Sequence, residues 1–289
     1  MTIITEKVKE IQQKFSIIGR TEEIKRIILA RSVSKNILVE GEVGVGKTTL
    51  AEAISRYYDS NFFRIDCSED TLEHNLVGHW DPPLVIAKGY VEDSYIYGPL
   101  TSAMSSGGCL FINEINRMPE STQNSLLTAL DEKILDIPKL KKIKAEDGFF
   151  VIATLNPSAQ VGVNVLGEAI MDRFIWINID YQNTEEEQKI IKKEANFNNG
   201  LDDSIVQISQ KIIESTRNIV SIRRGSSIRG GIDLAALVSQ YQDTQNTQNW
   251  IEAAIMALYN KIELEDGITK TKKELITDIV LSVLNKSNF

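Results

Sequence analysis

Histidine and cysteine are scarce in this 289-residue chain, with two of each. Two cysteines cannot staple a small secreted domain, and Cys67 and Cys109 both fall inside apolar, strand-like runs, so buried free thiols are expected. His74 and His79 have no Cys or carboxylate neighbours at ligand spacing, and no structural metal is expected. The chain lacks any apolar run of about 18 residues, so no membrane span is expected, and without a charged-then-apolar leader it reads as cytoplasmic. Positive charge is short as well: the formal net charge is −8, which argues against nucleic acid as a partner, because such binding draws on Lys and Arg facing phosphates. The one local cluster, Lys139, Lys141, Lys142 and Lys144, reads as a solvated hairpin.

What the chain does have is length for about two domains and ample apolar content for a core. Its most informative segment is Gly41-Glu42-Val43-Gly44-Val45-Gly46-Lys47-Thr48, which fits the phosphate-loop pattern G-x-x-x-x-G-K-[ST] at every fixed position. The apolar run Ile37-Leu38-Val39 precedes it, and Leu50, Ile54, Tyr57 and Tyr58 follow at helical spacing. A loop between a buried strand and a helix is the context this motif requires. Glycines let the backbone turn its N–H groups inward while the new helix aims its positive end at phosphate. Lys47 is then the counter-charge for the outer phosphates, Thr48 a ligand for Mg²⁺, and Thr49 continues the nucleotide-binding turn.

From residue 36 to about 180, apolar runs at Asn36 to Glu40, Phe62 to Cys67, Cys109 to Ile112, Phe149 to Thr154 and Phe174 to Ile179 alternate with helical patterns. That order predicts an α/β parallel sheet with helices on both faces and ligands beyond the carboxyl ends of the strands. After Asp180 the strand pattern stops. Thr184-Glu185-Glu186-Glu187 looks like an N-cap with a glutamate three residues on, and opens an all-helical domain. Its expected apolar faces carry Ile205, Ile208 and Ile212; Ile251, Ile255, Leu258 and Ile262; and Leu275, Ile276, Ile279, Val280, Val283 and Leu284. Gln240 to Asn249 reads as a surface loop. The expected division is 1–181 and 182–289.

Two strand ends carry the candidate chemistry. Leu110-Phe111-Ile112-Asn113-Glu114 is an apolar strand ending in polar groups, where a phosphate-loop ATPase places its Mg²⁺-orienting and water-activating residues. Glu114 is the expected catalytic base, since a carboxylate there can accept from an in-line water. Asn113 is anomalous: an aspartate normally occupies this metal-orienting position, and an amide keeps the acceptor oxygen but loses the charge. Phe150 to Pro157 is a second such strand, and Asn156 at its end could position the attacking water.

In this order the segments resemble the AAA+ ATPases, and Gly107 to Glu132 is similar to the MoxR branch. The run Asn113-Glu114-Ile115-Asn116-Arg117-Met118-Pro119, with Gln123, Leu126, Leu127 and Leu130, is close to that branch's D-E-I-N-R-x-P signature; Asn113 is the clear departure. The resemblance implies a P-loop NTPase core with a C-terminal helical lid. It implies that Asn156 is sensor one, Arg173 the arginine finger for a neighbouring subunit, Arg229 sensor two, and Ile17 and Ile18 the adenine-pocket lining. It also implies insertions at about 89–98 and 134–148 that face a pore or partner.

The implied activity is ATP hydrolysis with ATP and Mg²⁺ in a homo-oligomeric, hexameric ring that remodels a protein client, with a von Willebrand factor A domain protein as partner. Two other readings stay open: a nucleotide-gated scaffold whose hydrolysis is weak because of Asn113, or the motor subunit of a restriction or gas-vesicle system.

Overall fold

The computed structural model describes residues 2–157, 166–195 and 201–286. It divides into two compact units, Met1–Asp180 and Tyr181–Phe289. In the first, the chain runs through α1 (Thr2–Lys14), α2 (Thr21–Ser32), β1 (Asn36–Glu40), α3 (Lys47–Tyr57), β2 (Phe62–Asp66), α4 (Glu73–Val77), β3 (Gly78–Trp80), α5 (Pro82–Lys88), β4 (Tyr95–Tyr97) and α6 (Pro99–Ser106). It continues with β5 (Cys109–Asn113), α7 (Glu120–Asp131), β6 (Ile134–Ile137), β7 (Lys141–Lys144), β8 (Phe150–Leu155), α8 (Glu168–Met171) and β9 (Phe174–Asn178).

Five of these strands form one sheet in the order β2-β5-β8-β1-β9, and every pairing is parallel. Parallel strands covered by helices on both faces read as continuous apolar runs rather than alternating ones. Accordingly Ile37 to Val39, Cys109 to Ile112 and Phe150 to Ala153 are all buried. The edge strand β9 instead exposes Ile175 and Trp176, and the Trp176 indole donates to Glu40 Oε2 at 2.6 Å. The chain winds from β1 out to β2 and back through β5 and β8, and then crosses β1 to reach β9 on its other side, so the winding reverses beside β1 and a crevice opens at its carboxyl end. The phosphate-loop motif begins there. This is the P-loop NTPase type of sheet expected from the sequence.

Each stretch expected to be an insertion takes part in a two-stranded ribbon. The first starts earlier than about residue 89: β3 pairs antiparallel with β4, matching Gly78 with Tyr97 and Trp80 with Tyr95. Gly78 at φ +117° ends α4 and opens this ribbon; a three-residue strand has no periodicity for a sequence reading to detect. The second pairs β6 with β7, Ile134 with Lys144. The ribbons are tied together, because Lys141 binds Glu92 at 2.6 Å and Lys139 lies 4.0 Å above the Tyr90 ring. With Lys142 also facing Asp136, this lysine cluster is partly neutralised by its own chain.

The second unit comprises α9 (Thr184–Glu194), α10 (Asp203–Asn218), β10 (Ile222–Arg224), α11 (Ile228–Val238), α12 (Thr247–Leu258), β11 (Glu263–Leu264) and α13 (Lys272–Lys286). Apart from the short β10–β11 ribbon its described residues are helical in their regular elements, around a core of their own. Three details differ from the sequence reading. The cap of α9 is Asn183, whose side chain accepts from the Glu186 N–H at 2.9 Å, and Glu187 turns inward to Arg217 at 2.8 Å. The polar stretch from Gln240 is a loop only up to Asn246, which caps α12 through the Gln248 N–H. α12 buries Trp250, Ala253, Ala254, Ala257 and Leu258, leaving Ile251 and Ile255 at the rim. Small alanines bring the helix backbone close to its neighbours, so the buried face sits a step around from the one that residue size suggests.

No helix among the described residues is long and apolar enough to cross a membrane. Cys67 and Cys109 are both buried and free; burial pushes the Cys67 thiol up to about 12.

Candidate functional site

The phosphate loop leaves the central strand under tight packing. The Gly41 N–H donates to the Leu155 carbonyl at 3.2 Å, and a Cβ on Gly41 would stand 2.3 Å from the Ile179 carbonyl oxygen. Only glycine fits that position. Gly44 and Gly46 adopt φ of +85° and +91°, the left-handed region open to glycine at little cost. α3 begins at Lys47, so the helix's first N–H groups face the loop, and such unpaired donors attract anions. The Lys47 ammonium donates to the loop's own carbonyls, Gly41 O at 2.5 Å and Glu42 O at 2.9 Å. Thr48 is half-buried on the first helical turn, Thr49 is exposed, and Ile17 and Ile18 are half-buried in the turn between α1 and α2.

At the end of β5, Asn113 and Glu114 enter a connected polar network. Asn113 Nδ2 donates to Asp66 Oδ1 at 2.8 Å, across the register pair of β2 and β5. The Thr154 hydroxyl on β8 donates to Asn113 Oδ1 at 3.0 Å and accepts from the Glu114 N–H at 2.9 Å. Arg64 grips Asp66 with two hydrogen bonds of 2.8 and 2.6 Å. First that guanidinium and then Asn113 hold the Asp66 carboxyl below its ordinary range. Glu114 has a left-handed backbone, φ +55°, unusual for a residue with a side chain and a form of strain that concentrates at functional positions. Its carboxylate forms an ion pair with Arg117.

Asn156 follows β8 and is buried. Arg173 stands just before β9, whose first residue is in register with Asn36 at the start of β1. The phosphate loop follows the other end of β1, about 13 Å further along the strand direction at ~3.3 Å per residue. Arg173 is bound to Asp131 at 2.7 Å and to the Ala169 carbonyl at 2.6 Å. Arg229 belongs to the second unit, exposed in the first turn of α11.

Oxygen donors suit Mg²⁺. The Thr48 hydroxyl and the Asn113 amide oxygen are donors of that kind, and the phosphate loop is rich in N–H donors, so the chemistry of these residues fits a magnesium-bound triphosphate.

Residues 36–174 match the AAA domain, dynein-related subfamily. It is 33% identical over 215 residues to the uncharacterized protein YojN of Bacillus subtilis, covering 73% of this chain and 70% of that one. It is 30% identical over 241 residues to an uncharacterized Staphylococcus aureus protein, covering 80% of this chain and 91% of that one. Among solved structures it resembles a candidate ATPase from Cytophaga hutchinsonii, with a TM-score of 0.53 and 22% identity over 97% of this chain and 95% of that one. It also resembles the Thermotoga maritima RuvB Holliday junction branch migration motor, with a TM-score of 0.52 and 17% identity over 93% of this chain and 70% of that one. At such identities these structures share the fold. The fold is that of nucleotide-binding AAA proteins.

Three participants escaped the sequence reading, and a fourth, Arg117, stood in its quoted signature without a role. Buried Arg20 donates to the Val45 carbonyl at 2.8 Å and pairs with Glu23, bracing the phosphate loop from outside the motif. Asp66, Thr154 and Arg117 complete the strand-end network. Thr154 left a signal as a hydroxyl within the apolar run Phe150 to Leu155, and Arg117 as the arginine of the signature; Arg20 and Asp66 are charged residues next to turns, as surface residues commonly are.

Proposed function

We propose that this chain is a ring-forming ATPase of the MoxR type, which hydrolyses ATP and uses the cycle to remodel or activate a protein client in the cytoplasm. The observation that carries the reading is the strand-end pair, with Asn113 and Glu114 held on one threonine, Thr154, in the same sheet as the phosphate loop. In this reading Lys47 and the loop N–H groups bind the triphosphate, and Thr48 and Asn113 hold Mg²⁺, which neutralises phosphate charge when bound. Glu114 accepts the proton of the attacking water, and Asn156 orients that water. To act, the Glu114 carboxylate exchanges its Arg117 partner for the water.

Arg173 fits a role in trans. Its position at the amino end of the strands and its bonds to Asp131 and Ala169 keep it from its own loop, so a phosphate that it contacts belongs to a neighbouring copy. The hexameric ring, the von Willebrand factor A domain partner, the adenine contacts of Ile17 and Ile18 and the sensor-two role of Arg229 follow from the MoxR resemblance. One observation favours the scaffold reading instead: Glu114 is already paired and Asn113 carries no charge, which together would slow hydrolysis.

Steady-state phosphate release and equilibrium ATP binding on the purified chain test these readings. Lys47→Ala should abolish nucleotide binding, whereas Glu114→Gln should bind ATP and stop turnover. Unchanged ATP affinity in Lys47→Ala would sink the site assignment. ATP binding with no phosphate release by the wild-type ring would leave the scaffold and remove the motor.

A further inference from the structure

The charge missing at position 113 is present one strand away. Asp66 ends β2 in register with Asn113 and accepts the amide N–H at 2.8 Å. A carboxylate can only accept, so it forces the NH₂ group toward β2 and the amide oxygen toward β8. Thr154 reinforces that choice, since its hydroxyl donates to the oxygen at 3.0 Å. In the order β2-β5-β8-β1, the β8 side is the side of the phosphate loop. Asn113 therefore turns its acceptor oxygen toward the nucleotide side because an anion lies behind it. That anion also polarises the amide through the hydrogen bond. Asp66 is not free to swing away, because Arg64 holds both of its oxygens.

We propose that Asp66 is a positioning residue for Mg²⁺, aiming and polarising the Asn113 amide so that the two side chains together do the work of one aspartate at position 113. The inference rests on reading this strand end as the magnesium–nucleotide site. Asp66 and Asn113 are then a matched pair. An aspartate at 113 would set two carboxylates at hydrogen-bond distance, where like charges oppose each other. The effect of Asp66 on the metal should thus reverse in sign with the identity of residue 113.

The test is the affinity of the full-length chain for a fluorescent ATP analogue, measured in Mg²⁺ and in EDTA; the gain from Mg²⁺ is read without turnover. Asp66→Asn should cut this gain roughly tenfold, the scale seen when a group supporting a metal ligand is lost. Arg64→Gln, which frees Asp66, should cut it less. In the Asn113→Asp background Asp66→Asn should raise the gain instead. The Asp66 side chain is 57% exposed, so an isosteric amide there preserves the fold, and a thermal melt verifies it. The same direction in both backgrounds, or no change in either, overturns the proposal. Mg²⁺-dependent binding that ignores Asp66 overturns this inference alone, whereas a chain that binds no nucleotide in either buffer overturns it together with the nucleotide reading.

Discussion

Both units contain a connected network of polar side chains, and the two networks differ in how far water reaches them. In the first unit Asp66, Asn113, Glu114 and Arg117 line a strand end where the Asp66 and Glu114 side chains are 57% and 29% exposed. In the second, Glu187 is 2% exposed and Arg217 13%. Arg217 also donates to the Ser226 carbonyl, and the Thr216 hydroxyl accepts from the Ser226 N–H, which ties α9 and α10 to the turn before α11. Charges left in water exchange partners at little cost, while a desolvated pair loses several kcal/mol when one member is removed. In the first network the Glu114–Arg117 pair is placed to exchange partners, whereas the second network is built to hold.

The largest expected effect breaks that comparison if stability and activity move together in the first unit. Arg173→Ala should lower turnover by roughly 10³ to 10⁵, the range for a finger supplied in trans, and leave the melting temperature nearly unchanged, because its pair with Asp131 is half-exposed. Mixing it with Glu114→Gln should restore part of the activity, since some interfaces then join an intact base to an intact finger. Absence of rescue at every mixing ratio would exclude action between subunits.

Next in size is the opposite case. Glu187→Ala should destabilise the second unit by about 3–5 kcal/mol, because Arg217 is left as a buried charge without its carboxylate. Urea unfolding followed at Trp250, buried in that unit, reads the loss; a shift no larger than a surface pair's ~1 kcal/mol would erase the contrast between the networks.

Thr154→Val sharpens the comparison with the smallest shift. Thr154 is fully buried and serves both Asn113 and the Glu114 N–H, so it anchors the strand end from the core side. Losing it should cost about 1–3 kcal/mol and lower phosphate release as well. A stability loss with unchanged turnover would mean that Thr154 supports the sheet and not the placement of Glu114.

Much of the first unit was legible because its parallel strands are buried on both faces and so read as unbroken apolar runs bounded by turns. The phosphate loop was legible because its glycines and lysine are required at fixed spacing by one loop geometry. The strand-end partners were not. Asp66 lies 47 residues from Asn113 and Thr154 lies 41 from it, and no local pattern records which residues a parallel sheet brings side by side. In the second unit the cap of α9 was misplaced by one residue because Asn183 and Thr184 are both good caps, and the choice fell to Glu187, which the buried Arg217 draws inward.

From the order of residues alone came the strand–loop–helix that begins at β1, the alternation that makes the sheet parallel, and the helical character that begins after Asp180, since all three rest on spacing and burial pattern along the chain. Tertiary structure alone decided which carboxylate stands beside Asn113 and which hydroxyl holds both Asn113 and the Glu114 N–H. Those depend on strand order and register, which arise when distant segments share one core, and a charged side chain carries no mark of its partner until that core has formed.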